Sequence, residues 1–325
     1  MIKKIITLFV AISVAATVFA QGRVGSPYTR YGIGDITRST LIRNNSMGGL
    51  SYTLPYNNGI NHINPACVAD IDTMTFIFDF GLNGGARIYS IEDPAFSQTK
   101  SDFHLSHLNF GFAVTKWWKA AAGVQPYSDV GYSISANDTL LNVDKNYLFA
   151  GDGGVNKVFI SNAFKPFENF TFGVTASYLF GKIYQSGGIA FDDESGDYIN
   201  VFEQNIIQVN DFTFDAGLKY RFSINDNNHF TIGGVYGYNS NLDAKRSSIV
   251  YHTLTTSSAI VDTVFQSDEE LGIVGLPQTI GIGLGYQHSD KFFIGFDYTM
   301  QDWTGAAFFG NVDNLSNGQF FSLGT

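Results

Sequence analysis

Cysteine, charge and long apolar runs are all scarce in this chain of 325 residues. The single Cys67 cannot form an internal disulfide, which excludes covalent staples as the source of stability. Charged residues make up 15%, the net charge is −10 and lysine and arginine form no cluster, so we predict no nucleic-acid partner. No run of about eighteen apolar residues follows residue 20, and we therefore predict no transmembrane helix.

Residues 1–20 have the pattern of a secretory signal peptide. Lys3 and Lys4 precede an almost wholly apolar stretch, which ends with Ala20 before Gln21. An exported chain without helical spans dissolves in the periplasm, leaves the cell, or enters the outer membrane as a closed barrel.

The residues that are abundant favour the barrel. Glycine (35), phenylalanine (30) and tyrosine (17) are plentiful. Residues 212–222 alternate between an apolar face and a face of small or charged side chains, as an extended strand does. Their number matches the roughly 9–11 residues that a tilted strand needs to cross the hydrocarbon layer. The apolar face consists of Phe212, Phe214, Ala216, Leu218, Tyr220 and Phe222.

Similar alternation recurs along the chain, and short and long loops separate the runs in turn. We predict an all-β fold, an antiparallel transmembrane β-barrel in the bacterial outer membrane, with about nine to eleven recognisable strands. A secreted β-sandwich rich in aromatic residues is the alternative. Residues 319–325 do not have the sequence pattern of a full closing strand, so we expect further strands beyond them.

Residues 21–70 differ from the rest, because they contain many turn-forming residues and little alternation. We predict that this segment is a plug or hatch inside the barrel and that residues 71–325 form the wall. A disordered leader is the alternative, although apolar and aromatic residues are spread through the segment.

Pro126 interrupts a predicted wall strand shortly after Gly123. Because proline cannot donate to a strand ladder, it marks a bulge, a local gap, or simply the end of the strand. We also predict that five charged residues face the lumen, and we interpret them as a charge lattice rather than a reactive site. They are Asp79, Asp215, Lys219, Arg221 and Asp297.

Three stretches resemble the FadL/TodX outer-membrane transporters, the OMPP1 family. Asn64-Pro65-Ala66 lies just before the first predicted strand, where that family has a hatch motif. Leu276–Trp303 is similar to the late hairpin of the family, and Gly123–Ser128 to its third strand, which is kinked to open a side gap. The opening residues Ser26–Asp35 resemble Bacteroidetes members. The family barrel has about fourteen strands, and the resemblance covers residues 21–303.

The resemblance implies uptake of hydrophobic molecules such as long-chain fatty acids by a monomeric barrel in contact with outer-membrane lipid. The ligand would be captured in the lumen, pass a hatch rearrangement and leave sideways through a gap in the wall. Independently of the family role, we interpret Asn64-Pro65-Ala66 as a tight turn in which the asparagine caps backbone groups. A non-transporting barrel in a protein secretion or surface-assembly system is the alternative function.

Catalytic and metal-binding patterns give no candidate site. His104 and His107 would lie on opposite faces of a strand, and no nucleotide loop or nucleophile elbow occurs. We predict no enzyme activity, no cofactor and no metal. A barrel phospholipase would need a Ser/His/Asn group, which we cannot assemble from this sequence.

Overall fold

A computed structural model describes residues 26–37, 41–55, 59–91, 96–140, 143–192, 198–238, 240–254, 260–289, 291–310 and 315–325. The predicted signal peptide lies outside the described residues and stays a prediction.

The described residues form fourteen strands and little helix. The helices are α1 (Ile42–Ser46) and two 3-10 helices, Pro27–Arg30 and Pro65–Asp70. None of the helices in these ranges has the length and hydrophobicity of a membrane-spanning helix. The strands are β1 (Asp35–Ile36), β2 (Phe76–Ile91), β3 (Phe96–Ala113), β4 (Trp118–Leu140), β5 (Val143–Phe167), β6 (Phe170–Asp192), β7 (Ile199–Asn225), β8 (Asn228–Gly237), β9 (Asn241–Leu254), β10 (Ile260–Gln266), β11 (Glu270–Gly275), β12 (Gln278–His288), β13 (Phe292–Asp302) and β14 (Gly318–Gly324).

All strand pairs are antiparallel, and the main path of the sheet runs β14-β13-β12-β8-β7-β6-β5-β4-β3-β2. β8 and β9 both pair with β7, so β9 continues the line of β8. In the same way, β12 pairs with β8, and β11 and β10 pair with β9. The all-β antiparallel prediction is confirmed. Within the described residues β2 and β14 do not pair with each other, and the expected further strands stay a prediction.

The wall has short turns at one rim and long strands toward the other. β5–β6 and β7–β8 are joined by two-residue turns, and residues 114–117 and 289–291 join β3–β4 and β12–β13 at the same rim. β4, β5, β6 and β7 have 23, 25, 23 and 27 residues. Because roughly 9–11 residues cross a membrane, these strands extend well beyond the hydrocarbon layer toward the far rim.

The two faces of the wall differ as the alternation predicts. On β7 the aromatic row is outside, with Phe212 and Phe214 57% and 56% exposed, whereas Thr213, Gly217 and Lys219 are buried. Glycines alternate with apolar residues in the same way on β12. The outer face can therefore contact lipid, and the glycine-rich inner face leaves room for another segment close to it.

The described part of residues 26–75, here called the N-terminal segment, packs against this inner face. Leu41, Leu50, Ile60 and Val68 are fully buried. The second 3-10 helix contacts β4, β5, β6 and β7. The described part of the segment is thus packed against the wall; its roles as a hatch and as a domain of its own stay predictions.

Candidate functional site at the parted wall strands

Within the described residues, the wall strands β3 and β4 part from each other over much of their length. The two strands pair only from Leu108–Ala113 to Lys119–Val124. Toward the far rim, β3 keeps its pairing with β2 and β4 keeps its pairing with β5, but within the described residues they do not pair with each other. In the part of the chain that the structure describes, the wall therefore has an opening between β3 and β4.

A bulge on each side explains the divergence. In β3, His107 pairs with Gly81 and Leu105 with Leu82, so that Ser106 is an extra residue. In β4, an equivalent register shift makes Tyr127 the extra residue. Bulges bend and twist the strand that carries them, and here both lie just beyond the last β3–β4 pair.

The predicted kink residues lie at this point. Pro126 immediately precedes the bulge, where its missing N–H is tolerated. Gly123 pairs with Asn109 across β3–β4, and a Cβ at Gly123 would contact the Asn109 side chain and lie 2.9 Å from the Phe159 ring. Both a bulge and the parting of β3 and β4 lie beside Pro126, and β4 continues past it; whether the opening conducts a ligand stays a prediction.

The N-terminal segment occupies the lower part of the opening. β1 pairs antiparallel with Ser128 and Asp129 of β4, and the Thr37 N–H donates to the Tyr127 carbonyl at 2.8 Å. This chain therefore places its own extended strand on the β4 edge that β3 has left.

The Asn-Pro-Ala motif fixes the second 3-10 helix to the wall. The Asn64 Oδ1 atom accepts a hydrogen bond from the Ala66 N–H at 3.0 Å, which confirms the capping interpretation. Its amide nitrogen donates to the Tyr52 carbonyl at 2.9 Å and to the Leu218 carbonyl of β7 at 3.3 Å. Pro65 is the first residue of the helix, where proline is favoured.

Two glycines of the inner face allow this close approach. A Cβ at Gly173 would contact the Pro65 backbone carbonyl group, and a Cβ at Gly217 would contact the Asn64 side chain. These positions admit only glycine unless the segment moves, because the clash at Gly173 is with backbone atoms.

Two of the five predicted lumen charges anchor the N-terminal segment. The buried Asp297 carboxylate accepts hydrogen bonds from the Ser51 and Tyr52 N–H groups at 2.6 and 2.9 Å. Lys219 forms a mostly buried ion pair with Asp70, the last residue of the second 3-10 helix. Both are charge-assisted contacts in a poorly solvated interior, where such bonds are strong.

The other three charges are dispersed. Asp79 of β2 lies 3.3 Å from the Nε2 atom of His107, Arg221 is exposed and donates to Gln287 at 3.2 Å, and Asp215 lies beside Gly237. The five residues do not form one site, in keeping with the charge-lattice interpretation.

Several partners were not found by sequence reasoning. Ser51, Tyr52 and Asp70 lie in turns or at a helix end, where no periodicity marks them. Asp70 could have been found from the sequence, because a helix that begins at Pro65 has Asp70 near its end. Asn61 was also missed, although its amide donates to the Ser51 carbonyl at 2.6 Å.

Apolar side chains pack together in the interior at two levels. One cluster lies around Ile60, Val68, Ile71 and small residues of β4 and β5. A second lies toward the far rim and joins Ile33 of the N-terminal segment to inward residues of several strands, all at most 9% exposed: Val130, Tyr132, Val155, Leu179, Ile183, Val209, Leu242, Ala244, Val274 and Leu276.

Buried titratable groups of the N-terminal segment are held neutral. Burial raises the pKa of the Cys67 thiol to about 12, consistent with a packed side chain and not a reactive thiolate. His62 stacks on the Phe159 ring with centroids 4.3 Å apart. Its pKa is lowered well below the usual 6.5, first by burial and then by nearby Lys157 and His107.

We expect the packing of residues 59–75 to weaken in acid because of His62. The unfolded imidazole takes up a proton near pH 6.5 and the buried one does not, so stability is full above that pH and falls below it, by up to about 1.4 kcal/mol per pH unit. Hydrogen exchange between pH 8 and pH 5, corrected for intrinsic rates, measures this. His62→Phe keeps the ring contact and should flatten the dependence; equal slopes for both proteins would contradict the assignment.

Together these features define an antiparallel transmembrane β-barrel with its N-terminal segment packed against the inner face and an opening between β3 and β4. The chain belongs to the BamG family, whose model matches residues 1–325.

Solved structures share the fold. One is the CymD monoaromatic hydrocarbon channel, with a TM-score of 0.52 and 13% identity over 86% of this chain and 77% of that chain. Another is the P. putida toluene transporter TodX, with a TM-score of 0.51 and 15% identity over 81% and 70%. No curated protein matches the chain.

The predicted FadL/TodX resemblance is thus confirmed for the fold, with TodX as a structural neighbour, whereas the family is BamG. The names of both neighbours describe a channel or transporter for hydrophobic compounds and not an enzyme, in agreement with the prediction of no enzyme activity. The expected Bacteroidetes origin and the fatty-acid ligand stay predictions.

Proposed function

We propose that this barrel is a non-transporting component of a protein secretion or surface-assembly system in the bacterial outer membrane. The observation that carries the proposal is the packing of the interior: the N-terminal segment occupies one level and the apolar cluster around Leu179 and Ile183 the next. A conduit needs continuous space for its solute, and among the described residues these packed side chains lie across the interior at both levels.

Two of the described pockets fit a lipid-like solute poorly. One of about 220 Å³ lies beside Tyr31, Ile33 and Phe308 and is smaller than the roughly 300–1,000 Å³ of usual ligand sites. A larger pocket of about 460 Å³ lies at the short-turn rim, but Arg43 and Lys291 line it, and such charges disfavour a hydrocarbon chain.

The tall wall gives a partner protein a place to bind. With the short turns on the periplasmic side, as is usual in outer-membrane barrels, the far halves of β4 to β7 project outside the cell. Membership of the BamG family fits this candidate as well.

Transport of hydrophobic molecules such as fatty acids, by luminal capture, hatch rearrangement and lateral exit, is the second candidate. The parting of β3 and β4 beside Pro126 favours it, because a side opening would let an apolar solute pass into lipid without crossing water. The shared fold with CymD and TodX is compatible with it.

Depletion of the protein in its host separates the two candidates. We expect surface-exposed proteins to disappear from the outer membrane while uptake of a radiolabelled long-chain fatty acid stays unchanged. A cell that keeps its surface proteins but loses uptake would overturn the proposal.

A locked variant sharpens the comparison. Asp35 and Asp129 are direct partners in the β1–β4 ladder, so Asp35→Cys with Asp129→Cys can fix the N-terminal segment by a disulfide. Under our proposal, the oxidised and reduced forms of this double variant should restore the surface proteins of depleted cells equally well. Loss of complementation only on oxidation would favour a hatch that must move.

A further inference from the structure

We propose that the far part of β4, from Ser133 to Asn137, pairs with an extended segment of a partner protein, which adds a strand to the wall in the opening beside β3. The proposal rests on the assembly role and names where, and in which conformation, the partner binds.

Among the described residues, this part of β4 pairs with a strand on one edge and with none on the other. It pairs with β5 from Ser133–Ala150 to Asn137–Asn146 without a register shift. Within the described residues β3 pairs with β4 only as far as Val124, and β1 only with Ser128 and Asp129.

The direction of the free backbone groups follows from Gly131. Its N–H donates to the Thr29 Oγ1 atom at 3.2 Å and therefore points away from β5. Because successive residues of a strand direct their N–H and C=O groups to opposite edges, those of Ser133, Ser135 and Asn137 also point to the free side. No strand of the described ranges pairs at these ladder positions.

The edge is also accessible and lacks the devices that usually block pairing. Ser133, Ser135, Ala136 and Asn137 are exposed, and their side chains are small. Proteins protect exposed edges with proline, lysine or bulges, and none of these occurs between 133 and 138.

The chain itself indicates what the edge accepts. β1 already pairs with β4 through its backbone a few residues below, so an extended peptide fits this edge sterically. A strand added above β1 continues the same interaction and gains main-chain hydrogen bonds, as in other strand-addition complexes.

The two faces beside the edge set the chemistry of the partner. Tyr132 and Ile134 belong to the apolar interior, whereas Ser133 and Ser135 face outward and are polar. Neighbouring strands place side chains on shared faces. The partner segment therefore alternates apolar and polar residues, as the strands of membrane barrels do.

Photo-crosslinking in intact cells tests the register. A photoreactive phenylalanine replaces Ser133, Ser135 or Asn137 in turn, with Tyr184 of β6 as an exposed control position. We expect all three positions to crosslink to the same partner protein. For each step of two residues along β4, the crosslinked residue of the partner should also change by two positions. Crosslinks to β3, crosslinks without this progression, or yields no higher than at Tyr184 would overturn the proposal.

Matched substitutions test the backbone requirement. Ser135→Pro removes an N–H from the free edge and none from the β4–β5 ladder, so the barrel should fold while crosslinking at 133 falls by about tenfold. Ser135→Ala should leave the yield unchanged. Equal yields from both variants would refute strand addition.

The depletion experiment tests the assembly role separately from the β4 binding site. Loss of surface proteins without a crosslinking register leaves the assembly role standing and removes the β4 site. A clear register together with loss of fatty-acid uptake alone removes the assembly role.

Discussion

Gly173→Val is expected to displace the N-terminal segment while the wall remains inserted. A Cβ at Gly173 would collide with the Pro65 carbonyl carbon and oxygen and would lie 2.8 Å from the Ala66 nitrogen. Backbone atoms cannot rotate away as a flexible side chain can, so the second 3-10 helix must shift. Overpacking of this kind costs about 1–3 kcal/mol and more where the neighbour is rigid.

Hydrogen exchange of residues 59–75 measures the displacement, and we expect protection to fall by about tenfold to a hundredfold. Liposomes that contain the variant should also leak small solutes, because the displaced segment leaves space within the barrel. Gly234→Val is the matched control: on β8, its Cβ would lie 3.9 Å from the Gly281 carbonyl oxygen and, its two chain neighbours aside, within 4 Å of no other described residue. Unchanged exchange in Gly173→Val would show that the segment is not held where the contacts place it.

The wall could be predicted from the sequence because its periodicity is local. The alternation of residues 212–222 is part of β7, and the glycine-rich runs on β12 have the buried and exposed faces that the pattern indicates. The ends of the strands were harder to predict from the sequence. Strands such as β7 continue far beyond the membrane, and there Asn210 and Gln208 interrupt the apolar row on the outer face.

The inner contacts could be predicted only in part. Asn64 was recognisable as a capping residue because its partner, Ala66, is two residues away. The partner of Asp297 is the backbone of Ser51 and Tyr52, more than 200 residues earlier, and no local pattern encodes such a pairing. The bulge at Ser106 in β3 was not predicted, because no proline or glycine lies beside it. In β4, by contrast, Pro126 lies next to the bulge.

The Lys219–Asp70 pair has the second large expected effect. Lys219 is 8% exposed and Asp70 23%, so removal of either partner leaves a charge that water reaches poorly. Breaking a buried pair in this way costs about 3–5 kcal/mol. We expect Asp70→Asn to destabilise the packing of the N-terminal segment more than Lys219→Met does, because the uncompensated lysine is the more deeply buried charge.

The double variant decides whether the loss comes from the pair or from each side chain alone. If uncompensated charge is the cause, Asp70→Asn combined with Lys219→Met should recover much of the stability lost by the worse single variant, measured as exchange protection of residues 59–75. Lys245→Met is the control, because its partnership with Glu269 is half exposed and should matter by less than about 1 kcal/mol. Additive losses in the double variant would mean that each side chain stabilises the segment independently, and the ion pair would then not be the anchor that joins the 3-10 helix to β7.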